Sequence, residues 1–374
     1  MNSKNLGVLG LVALVALGGG IWLASERSAS SIEGAKSLYP GLKQTLNDAT
    51  SVRIHTAGDE LAVEIARKDD AWGVTERHGY PADEAKLRKL LLGLANATVR
   101  EEKTANPKNY PSLGVEDVSA DDASGLRIEV AGVEPAVNVI VGKQGLGLDS
   151  QYVRKVGEEQ SWLIDTSLER SPTPEDWLRK SIVDVRADRI QSATIETKDA
   201  KPYTAAKESR ADADFAVESL PKGKELSSSG AANSLATALA GLTLSDVRLA
   251  SELEGKPEAR ATYRTFDGLI VELDGWSLED DRFLVARARF DEALAERIKV
   301  ASEEGEQTDD SQTEKEASDD AASTSATTEE NAPTTPNVAE EAAKLNAALE
   351  GWAFEIPDYK YDAIFKSLET MLTK

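Results

Sequence analysis

The chain alternates apolar and polar residues from Ser51 onward. The runs SVRIHTAG, LAVEIAR and AWGVTER have a period of two, which is typical of strands that bury one face. Short polar turns join these runs, so they predict an antiparallel meander. After a proline-containing connection the alternation returns in GLRIEVAG, AVNVIVGK, QYVRKV and SWLIDT, which predict further strands of the same kind.

Between these two groups of strands the period changes to that of a helix. In the stretch YPADEAKLRKLLLGLANATV, Pro81 and Asp83 are typical helix-start residues. Four leucines follow at i, i+3, i+4 and i+7 and form one apolar stripe: Leu87, Leu90, Leu91 and Leu94. This spacing predicts a helix that lies across the sheet. The stretch PTPEDWLRKSIVDV predicts a second helix that closes the segment.

The order of elements then restarts. The stretch LRKLLLGLANATVR (87–100) aligns without a gap to LATALAGLTLSDVR (235–248), with identical residues at six positions. Strands are predicted at IQSATIETK, KPYTAAKES and DFAVESL, a helix at 232–242, and a last helix at YDAIFKSLETMLTK. We therefore expect an α+β fold with an N-terminal transmembrane helix, followed by a duplicated unit of antiparallel sheet with covering helices. The predicted repeats are 51–186 and 187–374.

The repeated leucines have two interpretations. Their uniform helical spacing favours packing of each helix on its own sheet. The alternative is a groove that receives a helix of a partner. Gly93 and Gly241 are expected either to let the helix approach the sheet closely or to begin the end of the helix.

An acidic block explains why the second repeat is longer than the first. Residues 302–341 contain no aromatic side chain and carry 13 acidic residues against Lys315, about half of the chain's formal charge of −23. Such a composition buries too little apolar area to offset its ordering entropy, so 302–341 is predicted to be a disordered insert. A helix is expected where the block ends, in AEEAAKLNAALEG. The overall acidity argues against nucleic acid as a partner, because phosphate binding requires clustered Lys and Arg.

The N-terminus predicts a membrane anchor. The segment Leu6–Ala24 holds no charge over 19 residues, close to the about 20 residues that a helix needs to cross a bilayer. Lys4 precedes it, so the N-terminus is expected in the cytoplasm and the rest of the chain outside the cytoplasmic membrane. The predicted divisions are 1–24 for the cytoplasmic stub and anchor and 25–50 for a tether and lead-in. The alternative is a cleaved signal peptide with SAS, 28–30, as its cleavage site.

The sequence offers few groups for catalysis or metal binding. Cysteine is absent, which excludes disulfides and thiolate sites. The two histidines are expected to be a strand-surface residue, His55, and a loop residue, His78. The stretch VGKQGLGLD around Lys143 lacks the spacing of a phosphate loop and is interpreted as a hairpin turn whose three glycines take positive φ angles.

Paired carboxylates and tryptophans leave one enzymatic alternative. The acidic pairs Asp69–Asp70, Asp121–Asp122 and Asp280–Asp281 have no metal-binding or glycosidase spacing. Five tryptophans could line a sugar groove, although three of them fall at matching strand starts, which favours a structural role: Trp72, Trp162, Trp177, Trp276 and Trp352. We therefore assign no catalytic, cofactor-binding or metal-binding residue and expect no cofactor.

Two stretches resemble a known family. AWGVTERHGYPADEAKLRKLLLGLANATVREEKTANPKNYPSLGVED and IVGKQGLGLDSQYVRKVGEEQSWLIDTSLERSPTPEDWLRKSIVDV are similar to the bacterial domain-of-unknown-function family 4340. The resemblance rests on a W-x-V strand, a YPAD helix start, a Y-x-x-LG connection, a YVR strand and a W-L helix. It implies an anchored inner-membrane protein of the envelope, of a kind often encoded beside gliding-motility-type ABC transporters. It implies no catalytic residues.

Three functions follow as hypotheses. The first is a non-enzymatic, membrane-anchored envelope protein that binds inner-membrane partners, for example ABC transporter subunits. The second is an envelope carbohydrate-binding protein or hydrolase with a cleft between the repeats. The third is a structural spacer whose acidic insert keeps neighbours apart by charge.

We expect the anchor to be retained in the mature protein, because its apolar run is longer than the about 7–15 residues of a signal-peptide core. N-terminal sequencing of the mature chain, together with its size on a gel, measures this. A mature chain that begins near Ser31 would contradict the anchor.

Overall fold

The computed structural model describes residues 36–147, 149–218, 220–297 and 337–373. The predicted anchor, Leu6–Ala24, lies wholly outside these residues. Residues 25–35 of the predicted tether and 302–336 of the predicted insert also lie outside them. Among the described residues, no helix has both the length and the apolar character that crossing a membrane requires.

The chain divides into two compact units, Met1–Arg179 and Lys180–Lys374. Each unit consists mainly of antiparallel strands with a few short helices. The predicted α+β class therefore holds in this general form.

Unit 1 contains a ten-stranded antiparallel sheet. In chain order its strands are β1 (Lys36–Ser37), β2 (Ser51–His55), β3 (Leu61–Lys68), β4 (Ala71–Val74), β5 (Tyr80–Pro81), β6 (Thr98–Glu102), β7 (Leu126–Ala131), β8 (Val137–Gln144), β9 (Gln151–Lys155) and β10 (Ser161–Ile164). In space they follow the order β1-β6-β10-β9-β8-β7-β2-β3-β4-β5. The predicted meander corresponds to β2, β3 and β4, which pair in sequence order.

The register keeps apolar residues on one face. Val52 of β2 lies opposite Ile65 of β3 and Val130 of β7, and Ile54 lies opposite Ile128. All five side chains are buried. The alternation read from the sequence therefore marks the strands that form the core.

The helices of unit 1 are α1 (Leu42–Thr45), α2 (Glu84–Asn96) and α3 (Tyr110–Leu113). Helix α2 begins as predicted, because the Asp83 side chain accepts a hydrogen bond from the Lys86 amide at 3.0 Å. All four leucines of the predicted stripe are buried, which supports the core-packing interpretation: Leu87, Leu90, Leu91 and Leu94.

A second small core lies on the opposite face of the sheet. Ile140 points away from its buried neighbours on β8 and packs with Tyr110 and Val115. Gly142 is needed here, because a Cβ atom at this position would come within 2.3 Å of the Leu113 carbonyl oxygen. The sequence analysis predicted positive φ angles for the three glycines of the hairpin turn around Lys143. That prediction is wrong for Gly142 and Gly145, and it holds for Gly147, whose φ is 128°.

Unit 2 contains a two-stranded and an eight-stranded antiparallel sheet. The first pairs β11 (Ser181–Val183) with β15 (Leu242–Thr243). The second has the order β14-β13-β12-β17-β18-β19-β20-β16. Its strands are β12 (Ile190–Thr197), β13 (Ala200–Ala206), β14 (Ala216–Val217), β16 (Asp246–Leu249), β17 (Ala259–Thr265), β18 (Leu269–Leu278), β19 (Asp281–Phe290) and β20 (Trp352–Ile356). The helices of unit 2 include α4 (Asn233–Ala236), α5 (Val338–Leu349) and α6 (Asp358–Ile364).

Two predicted helices are wrong. The stretch PTPEDWLRKSIVDV forms only a 3₁₀ turn, Pro174–Trp177, and then β11. The backbone next to this turn pairs with a distant segment instead of forming a helix, because the Arg179 amide donates a hydrogen bond to the Pro81 carbonyl at 2.9 Å. The helix predicted at 232–242 is confined to α4, because Gly241 takes a φ of 57° and Leu242 pairs with Val183 instead.

The C-terminal helices also differ in part from the predictions. The last helix, α6, ends at Ile364, and Leu368–Met371 forms a 3₁₀ turn. The helix expected after the acidic block is α5. It begins at Val338, so residues 338–341 of the predicted insert are helical. Glu341 accepts two hydrogen bonds from the Arg189 guanidinium, at 2.8 and 2.9 Å, which holds the start of α5.

Two leucines of α2 provide a matched test of its packing. Leu90→Ala should lower the free energy of unfolding of unit 1 by about 2–5 kcal/mol, because Leu90 is fully buried. Leu92→Ala should change it by less than about 1 kcal/mol, because 40% of Leu92 is exposed. Urea denaturation of the two variants measures the difference. Equal losses would show that the stripe is not packed as described.

Candidate binding surface on helix α2

Helix α2 presents a second, exposed side to solvent. Glu84, Ala85, Arg88, Lys89 and Leu92 are all exposed on this 13-residue helix. Leu92 lies outside the leucine stripe, so burial of the stripe leaves it facing outward. This is one of the few large apolar side chains that the described residues expose.

A groove runs beside Leu92 between α2 and strand β4. Its volume is about 390 Å³, which lies within the range of about 300–1,000 Å³ typical of binding pockets. We call it the α2 groove; its lining residues are Leu46, Asn47, Arg67, Trp72, Glu84, Leu87, Arg88, Leu91 and Leu92. Leucines and a half-buried tryptophan thus form an apolar floor.

The rim of the α2 groove carries both signs of charge, with arginine in excess. Arg67 is held in place, since it donates to the Asn47 carbonyl at 3.0 Å and to the Asp70 carboxylate at 2.9 Å. Arg88 has no ion-pair or hydrogen-bond partner among the described residues. Glu84 stands at the N-terminal end of the helix, where a carboxylate is stabilised by the helix dipole. Arg88 is therefore the rim cation available to a ligand.

A polar basin lies on the other flank of α2. It has a volume of about 660 Å³ and is lined by Lys89, Lys143, Gln144, Asp149, Gln151, Thr166, Ser167, Leu168, Glu169 and Arg170. A shallower depression shares Arg88 and Leu92 with the groove and Lys89 and Thr166 with the basin. The groove and the basin are therefore parts of one continuous surface around α2.

Most of the residues that line this surface lie within the stretch that a family comparison recognises. A family model described as "Domain of unknown function (DUF4340)" matches residues 72–265, about half of the chain. The chain belongs to this family. The match confirms the resemblance read from the sequence, and it begins at Trp72 in the α2 groove. No curated protein and no solved structure matches the chain.

The two histidines of this DUF4340 protein occupy different environments. His55 ends strand β2 and is buried, so its prediction as a strand-surface residue is wrong. Its Nδ1 atom lies 3.2 Å from Arg127 Nη2 and 3.5 Å from Asp59 Oδ1, and its Nε2 atom lies 3.8 Å from Glu129 Oε2. His78 lies in a turn, as expected, with a φ of 55°. His55 thus belongs to a charge network within the sheet.

The tryptophans and paired carboxylates are dispersed. Trp72 lines the α2 groove, whereas Trp177 is fully buried and donates to the Ser171 carbonyl at 3.0 Å. Trp162 lies on β10, and the Lys36 ammonium is 5.5 Å from the centre of its ring. Trp276 and Trp352 lie in unit 2. Asp69 and Asp70 form the turn between β3 and β4 with positive φ angles. Within the described ranges no group of three His, Asp or Glu side chains could hold a metal ion.

Unit 2 carries its own charged cluster on β17, β18 and β19. Asp274 is buried and accepts hydrogen bonds from Arg260 at 2.7 Å and from Arg287 at 2.8 Å. Burial alone would raise the pKa of the Asp274 carboxyl, but the two guanidinium groups outweigh it and hold that pKa below its ordinary value. Both arginines are paired with this buried carboxylate. The cluster therefore has a structural role in the sheet.

Sequence reasoning missed Arg88, Leu92 and Arg170. Leu92 could have been recognised in the sequence, because it is an apolar residue of the same helix that does not belong to the stripe. Arg88 and Arg170 had none, since an exposed helical arginine and a loop arginine are common in any sequence. Only the fold reveals what surrounds them.

Proposed function

We propose that the protein is a non-enzymatic, membrane-anchored envelope protein that binds a protein partner through the α2 groove. It acts as an accessory component of an ABC-type transport system in the bacterial inner membrane. The observation that carries the proposal is the exposure of Leu92 beside Trp72 in an apolar groove with a free arginine on its rim. Exposed apolar clusters with a polar rim are typical of protein interaction sites.

The groove fits one kind of occupant. Its floor favours a large apolar side chain, and Arg88 favours a carboxylate next to that side chain. We propose a helix or loop of a transporter membrane subunit, exposed on the outer side of the membrane, that presents these two groups together. The groove lies along a helix, which suits the packing of a second helix.

The proposed anchor places the groove near such a partner. Residues Leu6–Ala24 would cross the inner membrane with the N-terminus in the cytoplasm, and the two units would stand in the periplasm or outside the membrane. In this proposal residues 25–35 would act as a short tether between the anchor and β1 and would keep unit 1 close to the bilayer.

We also propose that the two units arose by duplication. The observation that supports this is the order of strands: β4-β3-β2-β7-β8-β9-β10-β6 in unit 1 and β14-β13-β12-β17-β18-β19-β20-β16 in unit 2. Each strand of the first series occupies the same place as its counterpart in the second. The counterpart of α2 is only the four-residue helix α4, so unit 2 has no equivalent exposed helical side within 229–241. Partner binding is therefore assigned to unit 1.

The groove is tested by the variants Leu92→Asp and Leu61→Asp. Both leucines are exposed to a similar degree, 40% and 44%, but only Leu92 lines the groove. Affinity purification of the full chain from membranes in mild detergent should recover ABC-type transporter subunits with the wild type and with Leu61→Asp. Leu92→Asp should lower their recovery by about tenfold or more, because it removes the apolar contact and places a carboxylate four residues from Arg88, where it competes with the partner for that cation.

Two outcomes would overturn the proposal. The first is purification of the wild-type chain without transporter subunits in several detergents. The second is equal recovery with Leu92→Asp and the wild type, since the groove would then take no part in binding. Thermal unfolding of each variant serves as the folding control.

A further inference from the structure

The polar basin is built from five separate parts of unit 1. Strand β8 contributes Lys143 and Gln144, the β8–β9 connection contributes Asp149, and β9 contributes Gln151. The segment 166–170 follows β10, and Lys89 comes from α2. The cavity volume of about 660 Å³ lies within the range of small-molecule sites, and its polar lining suits a polar ligand.

The basin is held rigidly. Gln151 is almost fully buried, and its amide donates to the Gly142 carbonyl at 3.1 Å and accepts from the Leu168 amide at 2.8 Å. This side chain therefore fixes the segment 166–170 against the end of β8. Leu168 in turn packs on Gly93, where a Cβ atom would lie 3.0 Å from its methyl group.

The Glu169 carboxylate of the basin is paired with a lysine, whereas Asp149 makes no ion pair among the described residues. Glu169 contacts the Lys89 ammonium at 2.5 Å and raises the pKa of Lys89, with Asp149 adding to the effect. Lys143 instead donates to the carbonyl oxygens of Pro111 and Ser112, at 2.9 and 3.4 Å. The Lys143 ammonium is thus held by carbonyl oxygens of α3 and has no carboxylate partner among the described residues.

Arg170 is the unusual group of the basin. It is half-buried, and its guanidinium donates to the Val141 carbonyl at 3.1 Å. It has no carboxylate partner among the described residues. Burial lowers the pKa of the Arg170 guanidinium from its ordinary value, which records the cost of desolvating this charge. A partly buried cation without a counter-charge is stabilised when an anion binds beside it.

We propose that the polar basin is a binding site for a small hydroxylated ligand that carries an oxyanion group, either a carboxylate or a phosphate. The oxyanion lies against Arg170, whose planar donors suit both groups, and Lys143 adds a second positive charge. Ser167 and Gln144 form a weak hydrogen bond with each other at 3.4 Å, and the Thr166 hydroxyl has no partner among the described residues. These groups are available to the hydroxyls of the ligand.

Calorimetric titration of the full chain in detergent tests the site, with three probes: D-glucuronate, inorganic phosphate and D-glucose. At least one of the two anions should bind saturably, whereas glucose should not, because it offers nothing to Arg170. A preference for glucuronate would identify a carboxylate ligand, and a preference for phosphate would identify a phosphate ester.

Arg170→Gln should weaken binding of the preferred anion by about tenfold or more, and Lys143→Gln should weaken it to a smaller degree. Arg100→Gln is the matched control, since Arg100 is an exposed arginine of strand β6 that lines neither the basin nor the α2 groove, and it should bind as the wild type does. Thermal unfolding checks that each variant is folded, and Lys143→Gln replaces Arg170→Gln if the latter is not.

Three results would overturn the proposal. They are the absence of saturable binding for both anions, equal affinity in a folded Arg170→Gln variant and the wild type, and binding of glucose as tight as that of glucuronate. None of them bears on partner binding in the α2 groove, which the affinity purification tests separately.

Discussion

Burial of the leucine stripe on α2 is the interaction on which unit 1 and its surface depend. The stripe fixes the rotation of the helix, because Leu87, Leu90 and Leu94 must all be removed from water together. Once that rotation is fixed, the residues on the opposite side of the helix face solvent. Leu92 and Arg88 are exposed for this reason, and the α2 groove is the geometric consequence of a packed core.

The same helix connects the two halves of the candidate surface. Gly93 permits Leu168 to pack closely on α2, and the amide of Leu168 is bound by the buried Gln151. The segment that carries Arg170 is therefore positioned by the helix on one side and by strand β9 on the other. This arrangement keeps the basin preformed, which lowers the entropic cost of binding a ligand.

Local sequence signals predicted the strands and α2 well, because each has a strict period and one buried face. Three features resisted prediction because contacts distant in sequence decide them. The backbone near Trp177 forms a 3₁₀ turn beside Pro81, Leu242 pairs with Val183 instead of extending a helix, and His55 is buried by Arg127 and Glu129. The candidate surface was predicted only in outline. The alternative of a partner groove was present in the leucine pattern, but the roles of Arg88 and Arg170 depend on which charges the fold places near them.

The central claim is that α2 serves both the core of unit 1 and the contact with a membrane partner. Site-specific photo-crosslinking in intact cells tests it most directly, with a photoreactive side chain at Leu92 and, as a control, at the exposed Lys108 in the turn before α3. The account predicts an adduct with an ABC-type membrane subunit from position 92 and none from position 108. Absence of that adduct at position 92, or the same adduct from both positions, would contradict it.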